Sequence, residues 1–509
     1  MWTPPPPSVT TILAAVLVLV ASAALAAYIL RHSRRDWPAI ATLAVVCLGF
    51  TLAYAQFFPD DSYITYRYAH NLLAGLGLVY NPGEHVLSTT TPLYTLLLAA
   101  AGLVWPDLPY TSHILSLPAL FASALALYLL CARHSKPLAG LLLGVLTILN
   151  PLTAAVYSSE SILHVALIFG ALLAYDQNRL EWAAALSALA VLNRGDGALL
   201  GIALALHWLV TGRWRANGLG HAVRAAAVYV AVALPWYLFS WLYYGSPAPA
   251  TLGAKMAQAG VPGTTPFGVG LGFWWKSYSG QSILYWLIPP LALIGLWRIL
   301  PRQGYRWAVP ALLWAAMYTA GYTLLAVPRY QNYYTPLAPA LLLLAMLGAH
   351  WLGAALARGT RAPRLAAALQ LVLGIGIGVG FGVTGAALYP RLPQARAVVY
   401  QQIGEWARAN TPPGSSLGMY EVGTVGYYAD RRIIDFYGLI QPEVAEHIAH
   451  NDQTWAPVHY LPDYIVGHPD WLFVDWRNTD PWFNAHYHEV KSFTYERCDC
   501  SPMVVYGRN

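Results

Sequence analysis

Long apolar runs alternate with short polar breaks from residue 9 to residue 388. Runs of about 20 residues predict helices that cross a membrane. The first two lie at 9–30 and 37–57, separated by the basic break RHSRR. The run at 92–105 is too short for a comfortable crossing and reads as interfacial or re-entrant. Further runs follow at 110–132, 137–155, 161–176, 181–193, 198–211, 224–243, 282–298, 307–326, 335–357 and 365–388. The expected fold is therefore mainly α: a polytopic membrane helical bundle of about twelve spans over 1–389, with a first outer loop at 57–109. The pattern changes at 390. QARAVVYQQIGEWARAN reads as an amphipathic helix closed by TPPG, and SSLGMY, RRIIDFY and DWLFVDW read as strands. Residues 390–509 are thus expected to form a separate α/β domain on the extracytoplasmic side.

Composition agrees with the pattern. Of 509 residues 57% are hydrophobic and 10% charged, with a mean hydropathy of +0.46. Soluble domains carry roughly 25% charged residues. The net charge of +6 does not point to nucleic acid, because the cations cluster in the breaks assigned to the cytoplasmic side, such as RHSRR, TGRWR and RGTRAPR. Outer positions before residue 390 hold only Arg67, Arg194, Lys255, Lys276 and Arg329. Of the four cysteines, Cys47 and Cys131 lie in apolar runs, and Cys498 and Cys500 form C-x-C without a second pair for zinc. The first apolar run lacks a basic start and a small-residue cleavage site, so it does not read as a removable signal peptide.

One stretch is polar where its surroundings are not: FFPDDSYITYRYAHNLLAGLGLVYNPGEHVLSTTTP, residues 57–92. It places Asp60 and Asp61 where a membrane helix meets water, and charge there needs a reason. Pro59 can open a helix, whose first turn favours carboxylates. If 60–74 is helical, Asp60, Tyr63, Arg67 and Asn71 share one stripe. NPGE at 81–84 is a turn.

The outer face then collects Asp60, Asp61, Arg67, Glu84, His85, Glu160, Arg194, Asp196, Lys255 and Arg329 from separate loops. Carboxylates suit a general base or a divalent cation, and cations suit a phosphate. The chain carries no P-loop, G-x-S-x-G or H-E-x-x-H motif. A phosphate is therefore expected to arrive on a lipid. Plainer roles compete: Asp60–Asp61 or Glu160 as helix caps, Arg194–Asp196 as a self-neutralising pair, Lys255 snorkelling, Arg329 anchoring a helix end, and His85 and His164 packing.

The motif DDSYITYRYAHNLLAGLGLVYNPGEHVLSTTTPLYTLLLA resembles the first outer loop of GT-C membrane glycosyltransferases, in particular the arabinofuranosyltransferase-like group. LNRGDG, YYGSPAPATLGAK and PRYQNYYTPLAPALLLL resemble later elements of that group, and MYEVGTVGYYADRRIIDFYGLIQPEVA resembles its outer domain. The blocks cover most of 57–440. STTTPLY, RGD and PAPAT depart from the group's GYTNPLW, RPE and PLPNT. The resemblance implies transfer of a sugar from a polyprenyl-phosphate donor to a glycan, lipid or protein acceptor outside the cytoplasmic membrane, with inversion. It makes Asp60 or Asp61 the catalytic base, with Asp60 favoured because it shares a face with Arg67. It gives Arg67, Lys255 and Arg329 the donor phosphate. Glu160, with Glu84, His85, Arg194 and Asp196, orients the acceptor or a metal. A divalent cation, Mg²⁺ or Mn²⁺, is left open, with Asp61 and Glu160 as its ligands. The competing reading is a transporter or flippase of a lipid-linked sugar. It rests on the glycine-rich run 365–388 and the break at Arg194, but no internal repeat supports it.

Overall fold

In the computed structural model the described residues run from 36 to 509, apart from 260, 262, 300–302, 361, 390–394, 470–480 and 495–501. The expected helix at 9–30, the break RHSRR, the strand DWLFVDW and the Cys498–Cys500 pair lie at least partly outside them.

The apolar runs become helices. Prolines sit in the first turns of Trp37–Ala53, Pro92–Gly102, Leu108–Arg133, Pro137–Leu149 and Pro363–Leu388. A missing N–H costs nothing in a first turn, so these prolines mark where each helix begins. Five helices among the described residues are long and apolar enough to cross a membrane: Leu108–Arg133, Pro137–Ala155, Leu219–Tyr244, Gln331–Gly359 and Arg364–Leu388. The remaining apolar runs form shorter helices, so the count of twelve goes beyond what the helices themselves establish.

The helices are apolar outside as well as inside. Leu219–Tyr244 buries only Ala233 and Ser240, and Leu242, Val210 and Val372 stand exposed. Apolar surface of that extent suits lipid rather than water. With no hydrophobic drive between helices in lipid, contact relies on close packing. Gly295 and Gly348 show it: a Cβ on either would strike a carbonyl of the opposite helix, Leu344 for Gly295 and Leu291 for Gly348. They let Ile288–Ile299 and Ala338–Thr360 cross backbone to backbone.

After Leu388 the chain forms a small α/β unit. The helix Ala395–Asn410 precedes a five-stranded sheet of order β2-β1-β3-β5-β4. The strands are β1 Ser416–Met419, β2 Arg432–Asp435, β3 Tyr464–Gly467, β4 Tyr487–Phe493 and β5 Met503–Arg508. β1 pairs in parallel with β2 and β3, while β5 runs antiparallel to β3 and β4. The first two expected strands are present; β3, β4 and β5 are strands the sequence reading did not assign.

Candidate active site

The polar stretch folds into a short helix, Ser62–Leu73, and a tight turn at 81–84 in which the Glu84 N–H donates to the Asn81 carbonyl at 3.1 Å. The stripe Asp60–Tyr63–Arg67–Asn71 makes contacts within the protein. It docks the loop on its surroundings and on the carboxy-terminal unit. Tyr63 packs on Tyr66, Tyr427 and Tyr428. Asn71 donates to the Val79 and Tyr80 carbonyls, each at 2.9 Å. Arg67 is buried and donates to the carbonyls of Tyr80 (2.9 Å), Gly426 (2.6 Å) and Arg431 (2.6 Å), with Asn81 Oδ1 at 3.4 Å. Its guanidinium is thus engaged by the protein itself. Arg67 ties the loop to the domain.

The two aspartates separate. Asp60 is half-buried, and its Oδ1 accepts the Thr424 backbone N–H at 2.8 Å. Burial pushes its carboxyl above the ordinary carboxylate range, against the pull of that hydrogen bond. Asp61 occupies the N-cap position of the helix but makes no side-chain capping bond. Its carboxylate is exposed and has no hydrogen bond or ion pair among the described residues. This reverses the order expected from the helix face: Asp60 is held, Asp61 is free.

Glu160 and Asp196 close on Arg194. Arg194 Nη1 lies 3.1 Å from Glu160 Oε1, and its Nη2 lies 3.0 Å from Asp196 Oδ2. Asp196 also accepts from Tyr322 at 2.5 Å and Tyr318 at 3.3 Å, with His164 Nε2 at 2.9 Å. The self-neutralising reading of Arg194 and Asp196 is the one found, enlarged by Glu160 and His164. The cap of the Glu160–Asp176 helix is Ser159, whose hydroxyl accepts the Ser161 N–H at 3.2 Å. Glu84 accepts from Arg432 Nε at 2.6 Å, and His85 packs at a tilt against Tyr243, so both make contacts of the loop.

The cations also divide. Lys255, on Thr251–Gln258, places its Nζ 3.8 Å from the centre of the Tyr330 ring and forms no ion pair among the described residues. Arg329 lies over the Phe273 ring at 3.4 Å, and its buried Nη1 has no hydrogen-bond partner among the described residues. Tyr330 and Tyr333 join the parts. Arg194 stands over the Tyr333 ring at 5.4 Å, and Asp61 and Lys255 both lie within electrostatic reach of Tyr333. Contacts thus link Lys255, Tyr330, Tyr333 and Arg194, and through Arg194 the carboxylates Glu160 and Asp196.

Asp61 and Glu160 do not form a metal-binding pair: Glu160 is turned to Arg194, and no group of three or more His, Cys, Asp or Glu suited to a metal occurs among the described residues. Sequence reasoning missed Tyr330 and Tyr333 as site residues, although PRYQNYY was in view, because tyrosines at that depth also form interfacial belts. It missed Thr424 because that residue lies 364 positions away in the chain.

The fold is shared with solved structures of ArnT and of an oligosaccharyltransferase. ArnT from Cupriavidus metallidurans bound to undecaprenyl phosphate superposes with a TM-score of 0.57 at 14% identity, covering 93% of this chain and 98% of its own. Its apo state gives 0.56 at 13% identity, over 92% and 97%. The Archaeoglobus fulgidus oligosaccharyltransferase, in complex with Zn and sulfate, gives 0.51 at 13% identity, over 92% and 72%. At these identities the likeness is one of fold. In sequence, the terminal beta-(1->2)-arabinofuranosyltransferase of Mycobacterium tuberculosis is 29% identical over 247 residues, 43% of this chain and 38% of that protein. The match thus spans well under two thirds of that relative. Residues 391–506 match a domain of unknown function, DUF8728.

Proposed function

We propose that this protein is an inverting glycosyltransferase that moves a sugar from a polyprenyl-phosphate donor to a glycan, lipid or protein acceptor on the extracytoplasmic face of the cytoplasmic membrane. The observation that carries the reading is the exposed Asp61 carboxylate, without a hydrogen bond or ion pair among the described residues, at the entry of the first-loop helix. The fold shared with a protein solved with undecaprenyl phosphate supports a lipid-phosphate donor. The mycobacterial relative supports a furanosyl sugar as the first to try.

The chemistry follows from the groups present. A sugar hydroxyl is too weak an acid to attack unaided, so a positioned carboxylate takes its proton as the bond forms. Asp61 is that base. The acceptor oxygen attacks the anomeric carbon opposite the phosphate. The bond from that carbon to the phosphate oxygen breaks, and its electron pair leaves with the lipid phosphate. Lys255 and Arg329 stabilise the growing negative charge, Arg329 through the nitrogen left without a protein partner. The Glu160–Arg194–Asp196 network holds the floor rather than reacting.

The test is mass spectrometry of cell-surface glycans in cells lacking the protein. The native gene restores a missing glycan or glycolipid and Asp61→Asn does not. Unchanged glycans in the deleted strain, with export of a lipid-linked sugar lost instead, would overturn the reading in favour of transport.

A further inference from the structure

The carboxy-terminal domain reaches both halves of the cluster. On one side it holds the first loop. Thr424 N–H bonds Asp60, Tyr80 donates to the Val422 carbonyl, and Arg67 reaches Gly426 and Arg431. Asn81 pairs with Ile433 through both backbone groups, at 2.8 and 3.0 Å. Gly423 has no room for a side chain, because a Cβ there would lie 2.6 Å from Asp60 Oδ2 and 2.7 Å from the Asp60 carbonyl carbon. On the other side the domain holds the helix that carries Lys255. Gln258 Nε2 donates to the Tyr437 carbonyl at 3.5 Å, and the Tyr330 hydroxyl donates to Gln258 Oε1 at 3.2 Å. Ala257 and Val261 pack with Phe436 and Val444. All of these domain groups come from β2 and from the segments that follow β1 and β2.

Thr424 holds Asp60 through its side chain as well as its backbone N–H. Asp60 forms no ion pair within 4 Å, and Arg396 is already paired with Glu421. The contact therefore makes sense as a fixture. It pins the residue next to Asp61 at the point where the chain enters the Ser62–Leu73 helix.

We infer that Asp60 is a positioning residue, and that the carboxy-terminal domain acts as a clamp that sets Asp61 against Lys255. This rests on the reading of Asp61 as the base, but it makes a separate geometric claim. Hydrogen-bond acceptance, not charge or proton uptake, is what Asp60 supplies. An asparagine can supply it and an alanine cannot.

Two measurements on the full-length protein in lipid nanodiscs test it. The first needs no substrate. Spin labels on Asp61→Cys and Lys255→Cys, in a chain without native cysteines, report their separation by pulsed electron resonance. The expected result is one narrow distribution, broadened or displaced by several ångströms when Gly423→Ala or Asp60→Ala is added and kept by Asp60→Asn. An unchanged distribution in both Gly423→Ala and Asp60→Ala overturns the clamp. The second is turnover of a synthetic farnesyl-phosphate arabinofuranose, with Asp61→Asn run in parallel. Asp60→Ala and Gly423→Ala are expected to lower kcat 10- to 100-fold with little change in donor KM, and Asp60→Asn to recover most of the loss. Equal loss in Asp60→Asn and Asp60→Ala would make Asp60 a proton acceptor and overturn the positioning role. An active Asp61→Asn would instead refute Asp61 as the base, while the label distances still judge the clamp.

Discussion

Neighbouring aspartates with the same chemistry have different surroundings. Sequence spacing placed Asp60 with Arg67 on one helix face and so favoured Asp60 as the base. The deciding residue is Thr424, 364 residues away, which holds Asp60 through its backbone N–H and its side chain, a contact that sequence spacing within the first loop does not reveal. The cations were sorted in the same way. Arg67 is saturated by carbonyls, whereas Lys255 and the Arg329 Nη1 are not. Lys255→Ala and Arg329→Ala are therefore predicted to weaken binding of undecaprenyl phosphate by about 1.5–3 kcal/mol each, the value of a charge-assisted hydrogen bond. Calorimetry or lipid competition on the purified protein measures it, and unchanged affinity in both variants would remove them from the site. Arg67→Met is predicted to behave oppositely. It leaves buried carbonyls unsatisfied and lowers the thermal midpoint, at roughly 1–3 kcal/mol per orphaned group, while the folded fraction binds the lipid as before. A loss of affinity in Arg67→Met without a loss of stability would restore Arg67 to the phosphate.

Among the elements, the apolar helices were the most readable, because lipid requires every backbone polar group to be paired within the segment and leaves a long apolar run as the trace. The first loop was also readable as an element: its helix and its NPGE turn are where the pattern placed them. Three strands of the domain were not assigned, since β3 has only four residues and the alternation in YHEVKSF and MVVYGR is too short to stand out. The loop after β2 carries a testable feature. Asp435 is fully buried and accepts the N–H groups of Tyr437 at 2.7 Å and Leu439 at 2.5 Å. Burial outweighs these bonds and pushes its carboxyl up to about 6 from 3.8. A carboxyl raised in the folded state favours the protonated protein. Stability is then fully present below the ordinary carboxylate range and falls as pH rises through about 6. The loss between pH 4 and pH 6 is on the order of 2 kcal/mol. Thermal midpoints across pH 4–7 should show this slope in the native protein and lose it in Asp435→Asn. Identical slopes in the two proteins would contradict it.

At the scale of the whole molecule, a membrane bundle and a small sheet domain meet over one cluster, and the charge of the breaks gives the arrangement a direction. Cations gather in TGRWR and RGTRAPR, on the side away from Asp61 in the predicted topology. A cysteine at position 215 should therefore resist impermeant thiol reagents in intact cells, and one at position 405 should react. Labelling at 215 from outside would invert the topology and place the cluster in the cytoplasm. The fold class was readable because its evidence is spread along the chain in repeated blocks. The role of each site residue was not, because it depends on which neighbours the fold has already claimed.

The central claim is that Asp61 takes the acceptor proton during transfer from a lipid phosphate. Its most direct test is single-turnover transfer by the purified protein in nanodiscs, following release of polyprenyl phosphate from a polyprenyl-phosphate arabinofuranose, with native protein and Asp61→Asn side by side. The account predicts release matched by glycosidic product in the native protein. It predicts a fall of roughly 10²–10⁴-fold in Asp61→Asn, with thermal midpoint and undecaprenyl phosphate affinity retained. An Asp61→Asn protein that turns over at the native rate would contradict it.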